Sequence, residues 1–221
     1  MPIGKLVIFG TGDIAQIAAY YFERDGLADI VAFTVDAAYR DADEYEGRPL
    51  VPFEEVAEHF PPDEHQMFIA LSYAQMNRLR ARKAEAAKAA GYVLASYISP
   101  DCTYRSQFAP GENAFIFEDN TIQPFVRIGA NVTMWSGNHI GHHSVIADNN
   151  FISSHVVVSG HCTIEPFCFL GVNATLAHGV TMAEGTLLGA GVVMTKDSEA
   201  RGVYVPARPT KLERTSDQIE M

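Results

Sequence analysis

Basic residues are scarce in this chain. Sixteen Lys and Arg face 27 Asp and Glu, a formal net charge of −11. The only basic cluster, RLRARK at 78–83, lies in a segment of helical spacing, where a solvated face is the plain reading. Nucleic acid and an anionic membrane surface are therefore excluded as main partners, since both call for a positive field. A small phosphorylated ligand in a local pocket remains open. Cysteine is thin as well: Cys102, Cys162 and Cys168 show no C-x-x-C spacing, which excludes a disulfide framework and fits a reducing compartment. No apolar run approaches the roughly 20 residues of a membrane-spanning helix. The opening MPIGKLVIFGTGD has no long apolar stretch of the secretory kind. The expectation is a cytoplasmic protein with no membrane insertion.

What is present is a chain of 221 residues, 48% hydrophobic and 19% charged, enough for one large or two small domains. It has two rhythms. Up to residue 97, strand-like and helix-like stretches alternate. KLVIFG (5–10) is a short apolar run. DIAQIAAYYFERDG (13–26) carries apolar residues at helical spacing and stops at Gly26. DIVAFTVD (29–36) and QMFIALS (66–72) read as further strands. A helix over 74–91 and a strand over 92–98 follow. This alternation predicts a small parallel, Rossmann-like α/β domain over 1–97.

From residue 98 the period becomes six. In blocks of six from Thr121, the second residue is aliphatic or Met thirteen times out of thirteen, from Ile122 through Ile140 and Ile164 to Met194. Ile98 and Ile116 keep the register upstream, while Tyr104 and Pro110 break it. Six residues per flat face and three faces per coil predict a left-handed parallel β-helix over 98–200, with the aliphatic residue inward and a small residue or Val filling the corner. An antiparallel sandwich would alternate with period two and is excluded by this pattern. A polar tail, 201–221, closes the chain and is expected to be partly disordered.

The coil sorts the histidines, of which there are eight in all. WSGNHIGHHS (135–144) holds three of them. Residues eighteen apart stack, so His142 lies one coil from Gly160, His143 from His161, His139 from Val157 and His155 from Asn173. Ile140 takes the inward place, so His139, His142 and His143 face outward or sit at corners. A metal site wants three or four converging ligands. His143, His161 and Cys162 supply some, without carboxylates to accompany them, and no metal is expected. Surface histidines without chemistry are the bland reading. A general base is the third, because an imidazole with a pKa near 6.5 accepts a proton at neutral pH. Trp135, the only tryptophan, reads as packing, as do Cys162 and Cys168.

The repeat HHSVIADNNFISSHVVVSGHCTIEPFCFLGVNATL, with LLGAGVVMTKD and GVYVPARP after it and LVIFGTGDIA and FIALSYAQMNRLR before it, resembles sugar acyltransferases of the NeuD/PglD type over nearly the whole chain. The resemblance implies a homotrimer with acetyl-CoA lying along the coil between neighbouring subunits. It implies that His142 is the base and that the backbone N–H of Gly160 receives the developing oxyanion. Val172 and Ala190 would line the acetyl-CoA path through their backbone. The chain departs from the family in two places. His143 stands where an acidic residue often orients the base, which leaves open whether His143 is base or supporter. Phe151 replaces a second histidine, with His155 a possible substitute.

At the other end GTGDIA (10–15) fits G-x-G-x-x-A after a strand and before a helix. Such glycines allow a tight turn, and a helix N-terminus favours phosphate. Asp36, closing the second strand, stands where a dinucleotide fold reads ribose. A domain of about ninety residues has room for one mononucleotide half, which argues against NAD and for a nucleotide sugar. The resemblance carries Gly10, Gly12 and Asp36 over to UDP- or dTDP-sugar binding. Asp13 stands where relatives often carry a sugar-facing histidine. Ser72 and Tyr73, after the third strand, are further substrate candidates, and Arg208 and Lys211 are candidates for the phosphates of coenzyme A. The reading is an acetyl-CoA-dependent N-acetyltransferase acting on the 4-amino group of a nucleotide-linked deoxy sugar, by direct attack. Its alternatives are O-acetylation of a sialic acid, a carbonic-anhydrase-like metal enzyme and a scaffold.

Overall fold

A computed structural model describes residues 3–211, 213 and 215–218. The N-terminal domain is built from β1 (Gly4–Phe9), α1 (Asp13–Arg24), β2 (Ala28–Val35), β3 (Glu44–Tyr45), β4 (Arg48–Pro52), α2 (Val56–His59), β5 (Gln66–Ile69) and α3 (Arg78–Ala89). The strand order is β3-β4-β2-β1-β5, parallel except for the β3–β4 hairpin. Alternation along β1 sends Leu6 and Ile8 to one face and Val7 and Phe9 to the other. The first face packs on Ala15, Ala18 and Phe22 of α1, and the second on Ala84 and Ala87 of α3. A sheet covered on both sides must be apolar on both, which is why its strands read as unbroken hydrophobic runs.

Several expectations are corrected. The hairpin 44–52 carries no period long enough to be read. The stretch 92–98 is no strand of this sheet: it offers one bridge, Leu94 to Met67, and then Tyr97–Ile98 opens the β-helix. The third strand stops at Ile69, and its helix begins at Arg78 instead of residue 74. Between them Gln75, Met76 and Asn77 all have φ between +52 and +62°, a left-handed run that no right-handed helix admits.

The rest is a left-handed parallel β-helix of two-residue strands in sheets of seven, six and four strands. Face one holds Phe115–Ile116 and its stack, face two Thr121–Ile122 and its stack, face three Arg127–Ile128 and its stack. Register is eighteen residues throughout, as in Thr133↔Phe151↔Phe169. All thirteen inward residues are buried, none above 7% exposed. Tyr104 keeps the rhythm after all: Thr103–Tyr104 pairs with Thr121–Ile122, and the half-buried phenol packs on the core. The last strand, Val203–Tyr204, carries face one past residue 200.

Each corner turns through one left-handed residue. From Asn113 to Gly191 every sixth residue has φ between +54 and +77°. Gly, Asn and Asp hold nine of these fourteen places, and they tolerate that conformation best. The other five are Phe125, His143, His155, His161 and Phe167. Three of the histidines that stood out in the sequence are thus turn residues.

The two domains share a polar seam. Asn113 donates to Asn131 (2.6 Å) and Asn131 to Asn149 (2.7 Å), one per coil. Asn113 Oδ1 also accepts the N–H of Ile69 in β5. Buried Arg80 donates to three carbonyls, Ile69 (3.1 Å), Asn131 (2.7 Å) and Asn113 (2.8 Å). Burial pushes its guanidinium down to about 9, still charged at neutral pH. No helix among the described residues is long and apolar enough to cross a membrane.

Candidate active site

His142 sits at the corner between faces two and three, after His139–Ile140 and before Val145–Ile146. One coil on, Gly160 occupies the same place, and a Cβ built on it would stand 2.8 Å from both Cε1 and Nε2 of His142. The imidazole edge therefore lies against the Gly160 backbone, a proximity only glycine permits. Among the described residues no acceptor takes the Gly160 N–H, nor those of Val172 and Ala190. His142 is placed from both sides. Its backbone N–H donates to Gln123 Oε1 (2.8 Å), and its Nδ1 lies 3.1 Å from Nδ1 of His143.

His143, at the left-handed turn, stacks between Phe125 (4.5 Å, 30°) and His161 (4.8 Å, 8°), and His161 in turn meets His178 at 5.3 Å. Desolvation and then the neighbouring His143, His142 and His178 hold the His161 ring below the usual imidazole range. One Nδ1 of the His142–His143 pair must carry the proton and the other accept it. With the proton on His142, its Nε2 lone pair is free beside Gly160. Atoms of His142, His143 and His161 able to ligate a metal lie within 4.8 Å of one another. Imidazole lone pairs lie in the ring plane, however, and two rings 8° from parallel do not aim at one point.

Ser144 is not a poised nucleophile. It is fully buried, donates to the Ser159 carbonyl (3.0 Å) and accepts the Cys162 N–H (3.1 Å). Burial raises the thiols of Cys162 and Cys168, and both serve the core.

A second site opens at the carboxyl ends of β1 and β5, neighbouring strands from which the chain departs in opposite directions across the sheet. Open α/β sheets bind ligands at such switch points. A crevice of about 430 Å³ there is lined by Gly12, Asp13, Ser72, Tyr73 and Trp135. A second of about 430 Å³ continues it along face one through Phe151, Phe169, Val172 and Ala190, and the two share Tyr73 and Trp135. Four of the residues expected from the sequence, Gly12, Asp13, Ser72 and Tyr73, are thus gathered here. Gly10 is not: a Cβ on it would meet the Ala70 carbonyl at 2.8 Å, so it serves strand packing. Asp36 lies one strand away, paired with Lys83 at 2.5 Å, whose ammonium also rests over the Phe9 and Phe53 rings. Arg208 and Lys211 are exposed in the tail.

Sequence reasoning missed Lys83, Gln123 and Phe125. It also missed the distance around the prism. Val172 and Ala190 lie at the corner between faces one and two, and His142 with Gly160 at the corner between faces two and three. The N-terminal domain covers face one, where Tyr73 packs on Phe151 and Phe169. Within one subunit the imidazole is on the edge opposite that face.

No protein-family model matches the chain, and no curated protein does. Solved structures do match. One is the acetyltransferase domain of PglB from Neisseria gonorrhoeae: TM-score 0.79, 21% identity, over 93% of this chain and 99% of that one. It has also been solved in complex with acetyl coenzyme A. WeeI from Acinetobacter baumannii gives a TM-score of 0.80 at 16% identity, over 92% and 97%. A variant of the GDP-perosamine N-acetyl transferase of Caulobacter crescentus, in complex with CoA and GDP-perosamine, gives 0.62 at 23%, over 92% and 94%. At these identities the likeness establishes the fold.

Proposed function

We propose that this chain transfers acetyl from acetyl-CoA to the 4-amino group of a nucleotide-linked deoxy sugar, by direct attack and without a covalent acyl-enzyme. The observation that carries the reading is the imidazole of His142 set against Gly160. His142 Nε2 removes a proton as the sugar amine attacks the thioester carbonyl. The N–H of Gly160, free of any acceptor among the described residues, stabilises the negative oxygen that forms. His143 Nδ1 accepts a hydrogen bond from the Nδ1–H of His142 and so fixes its tautomer, in the place where relatives often carry an acidic residue.

The switch-point crevice takes the nucleotide sugar, with its phosphates at the first turn of α1. Acetyl-CoA lies over the N–H groups of Val172 and Ala190, with Arg208 and Lys211 as candidates for its phosphates. Since the imidazole stands on the far edge of its own prism, the reaction calls for a neighbouring subunit, whose His142 meets this subunit's crevice in a trimer. Structural relatives solved with acetyl-CoA and with CoA and GDP-perosamine support the choice of both substrates. Such a reaction fits a cytoplasmic protein, where acetyl-CoA is at hand.

The test is a screen of UDP-, dTDP- and GDP-linked 4-amino sugars with acetyl-CoA, following the free thiol. His142→Ala should abolish turnover while light scattering still reports a trimer. An unchanged rate in that variant removes His142 from the mechanism.

A further inference from the structure

We infer that the crevice beneath α1 is a socket for Arg127 of a second copy of this chain, and that this ion pair holds the base of one subunit against the substrate crevices of the next. The inference rests on the proposed function for which corners of the two prisms meet; the socket and its occupant come from charge and from level along the coil.

The crevice, of about 660 Å³, lies between α1, the β3–β4 hairpin and the corner of faces one and two. Tyr20, Tyr21, Phe117 and Trp135 wall it, and Trp135 also lines both substrate crevices. Three carboxylates, Glu23, Glu46 and Glu118, face one guanidinium, Arg48, which Glu23 already engages. Glu46 accepts from Gln16 (2.8 Å), and Glu118 from Tyr21 (2.8 Å) and Ser136 (2.6 Å). A carboxylate offers about four lone-pair sites, so both keep room for another donor. Carboxylates among aromatic rings suit a guanidinium, which forks onto the one and stacks on the other.

Arg127 is such a guanidinium. It is exposed on face three and rests over the Phe108 ring at 3.6 Å, and among the described residues no carboxylate pairs with it. The level agrees. Arg127 stands midway in sequence between Glu118 and Ser136, hence at their height, just as His142 stands midway between Thr133 and Phe151. A ring in which the base corner of one copy meets the substrate corner of the next turns face two inward and face three toward the neighbour's α1. The outward places of face two suit such burial: Thr103, Thr121, His139, Val157, Thr175 and Val193 include no Lys, Arg, Asp or Glu. Copies carrying a net charge of −11 repel overall, so contact calls for a local pairing of opposite charge.

Charge exchange in the full chain tests the socket by sedimentation equilibrium. Arg127→Glu and Glu46→Arg should each weaken association about tenfold or more with far-UV circular dichroism unchanged, since both side chains are exposed. The double variant should recover most of the loss, because it rebuilds the pair in reverse. Wild-type association should weaken as salt rises from about 50 to about 500 mM. Thiol release should follow the trimer fraction across these chains. Association unmoved by either single change, a double variant no stronger than the weaker single one, or a wild type that stays monomeric overturns the socket. So does a saturable quench of Trp135, the only tryptophan, by spermidine in the intact trimer, which gives the crevice to a free organic cation. Rescued association in a chain that releases no thiol with any 4-amino sugar sinks the acyl-transfer reading and leaves the socket standing. Thiol release from a trimer indifferent to Arg127→Glu does the reverse.

Discussion

Replacing Gly160 by alanine separates folding from chemistry. The added Cβ would stand 2.8 Å from Cε1 and Nε2 of His142, while ordinary contact begins near 3.4 Å, so the ring must retreat by at least 0.6 Å. It is free to do so, because His142 is exposed and Gly160 lies outside the left-handed region. The stability cost should therefore stay below about 1 kcal/mol, within the range of substitutions that bury no strain. Catalysis has no such latitude. A displacement of about 1 Å costs on the order of a hundredfold, so roughly 10- to 100-fold in kcat is expected from 0.6 Å. Thiol release measures the rate, and a thermal melt measures the fold. A variant melting with wild type and turning over within threefold of it would refute the placement of His142 over Gly160. Gly171→Ala is the contrast: its Cβ would meet the backbone nitrogen of Ala190 at 2.6 Å, so overpacking of about 1–3 kcal/mol should appear in the melt itself.

Three further outcomes are expected. The lowered His161 pKa means that the unfolded chain binds a proton there more readily than the folded one, so stability rises with pH up to the ordinary imidazole range; His161→Asn should flatten the dependence of the melting temperature on pH between 5 and 7, and an unchanged slope would show that the cluster does not repel protons. Arg80→Met leaves three carbonyls at the domain seam without their donor and should cost about 3–5 kcal/mol in urea unfolding; a loss under 1 kcal/mol would mean that the seam re-forms around water. Ser144→Ala should destabilise by about 1–3 kcal/mol yet keep turnover, and intact-mass spectra of the wild type under acetyl-CoA should show no acetylated chain; an acetylated Ser144 would replace direct attack by a covalent route.

The β-helix was legible because its signal is a period. An inward residue every sixth place is demanded by the flat face itself, and Ile122 through Met194 all proved buried. The pairing of His142 with Gly160 followed from the same arithmetic. The turn residues were hidden because five of their fourteen places hold Phe or His, neither of which marks a left-handed turn as Gly or Asn does. The hairpin at 44–52 and the interruption at 75–77 are too short to carry a period. Lys83 and Arg80 looked like parts of one solvated helix face, and only three-dimensional packing shows one paired with Asp36 and the other buried among carbonyls. Asp36 was read from a motif that says which strand it ends, not which cation it meets.

Eighteen-residue stacking also governs how this molecule tolerates changes in length. Losing one residue between His143 and Ser159 would slide Gly160 off the imidazole and put a side chain in its place, while turning every later inward residue toward water. Adding eighteen residues after Val192 would lengthen the prism by one coil and leave that corner untouched. Variation in the size of such a chain should therefore come in whole coils, outside the single turn that joins the histidine to its glycine.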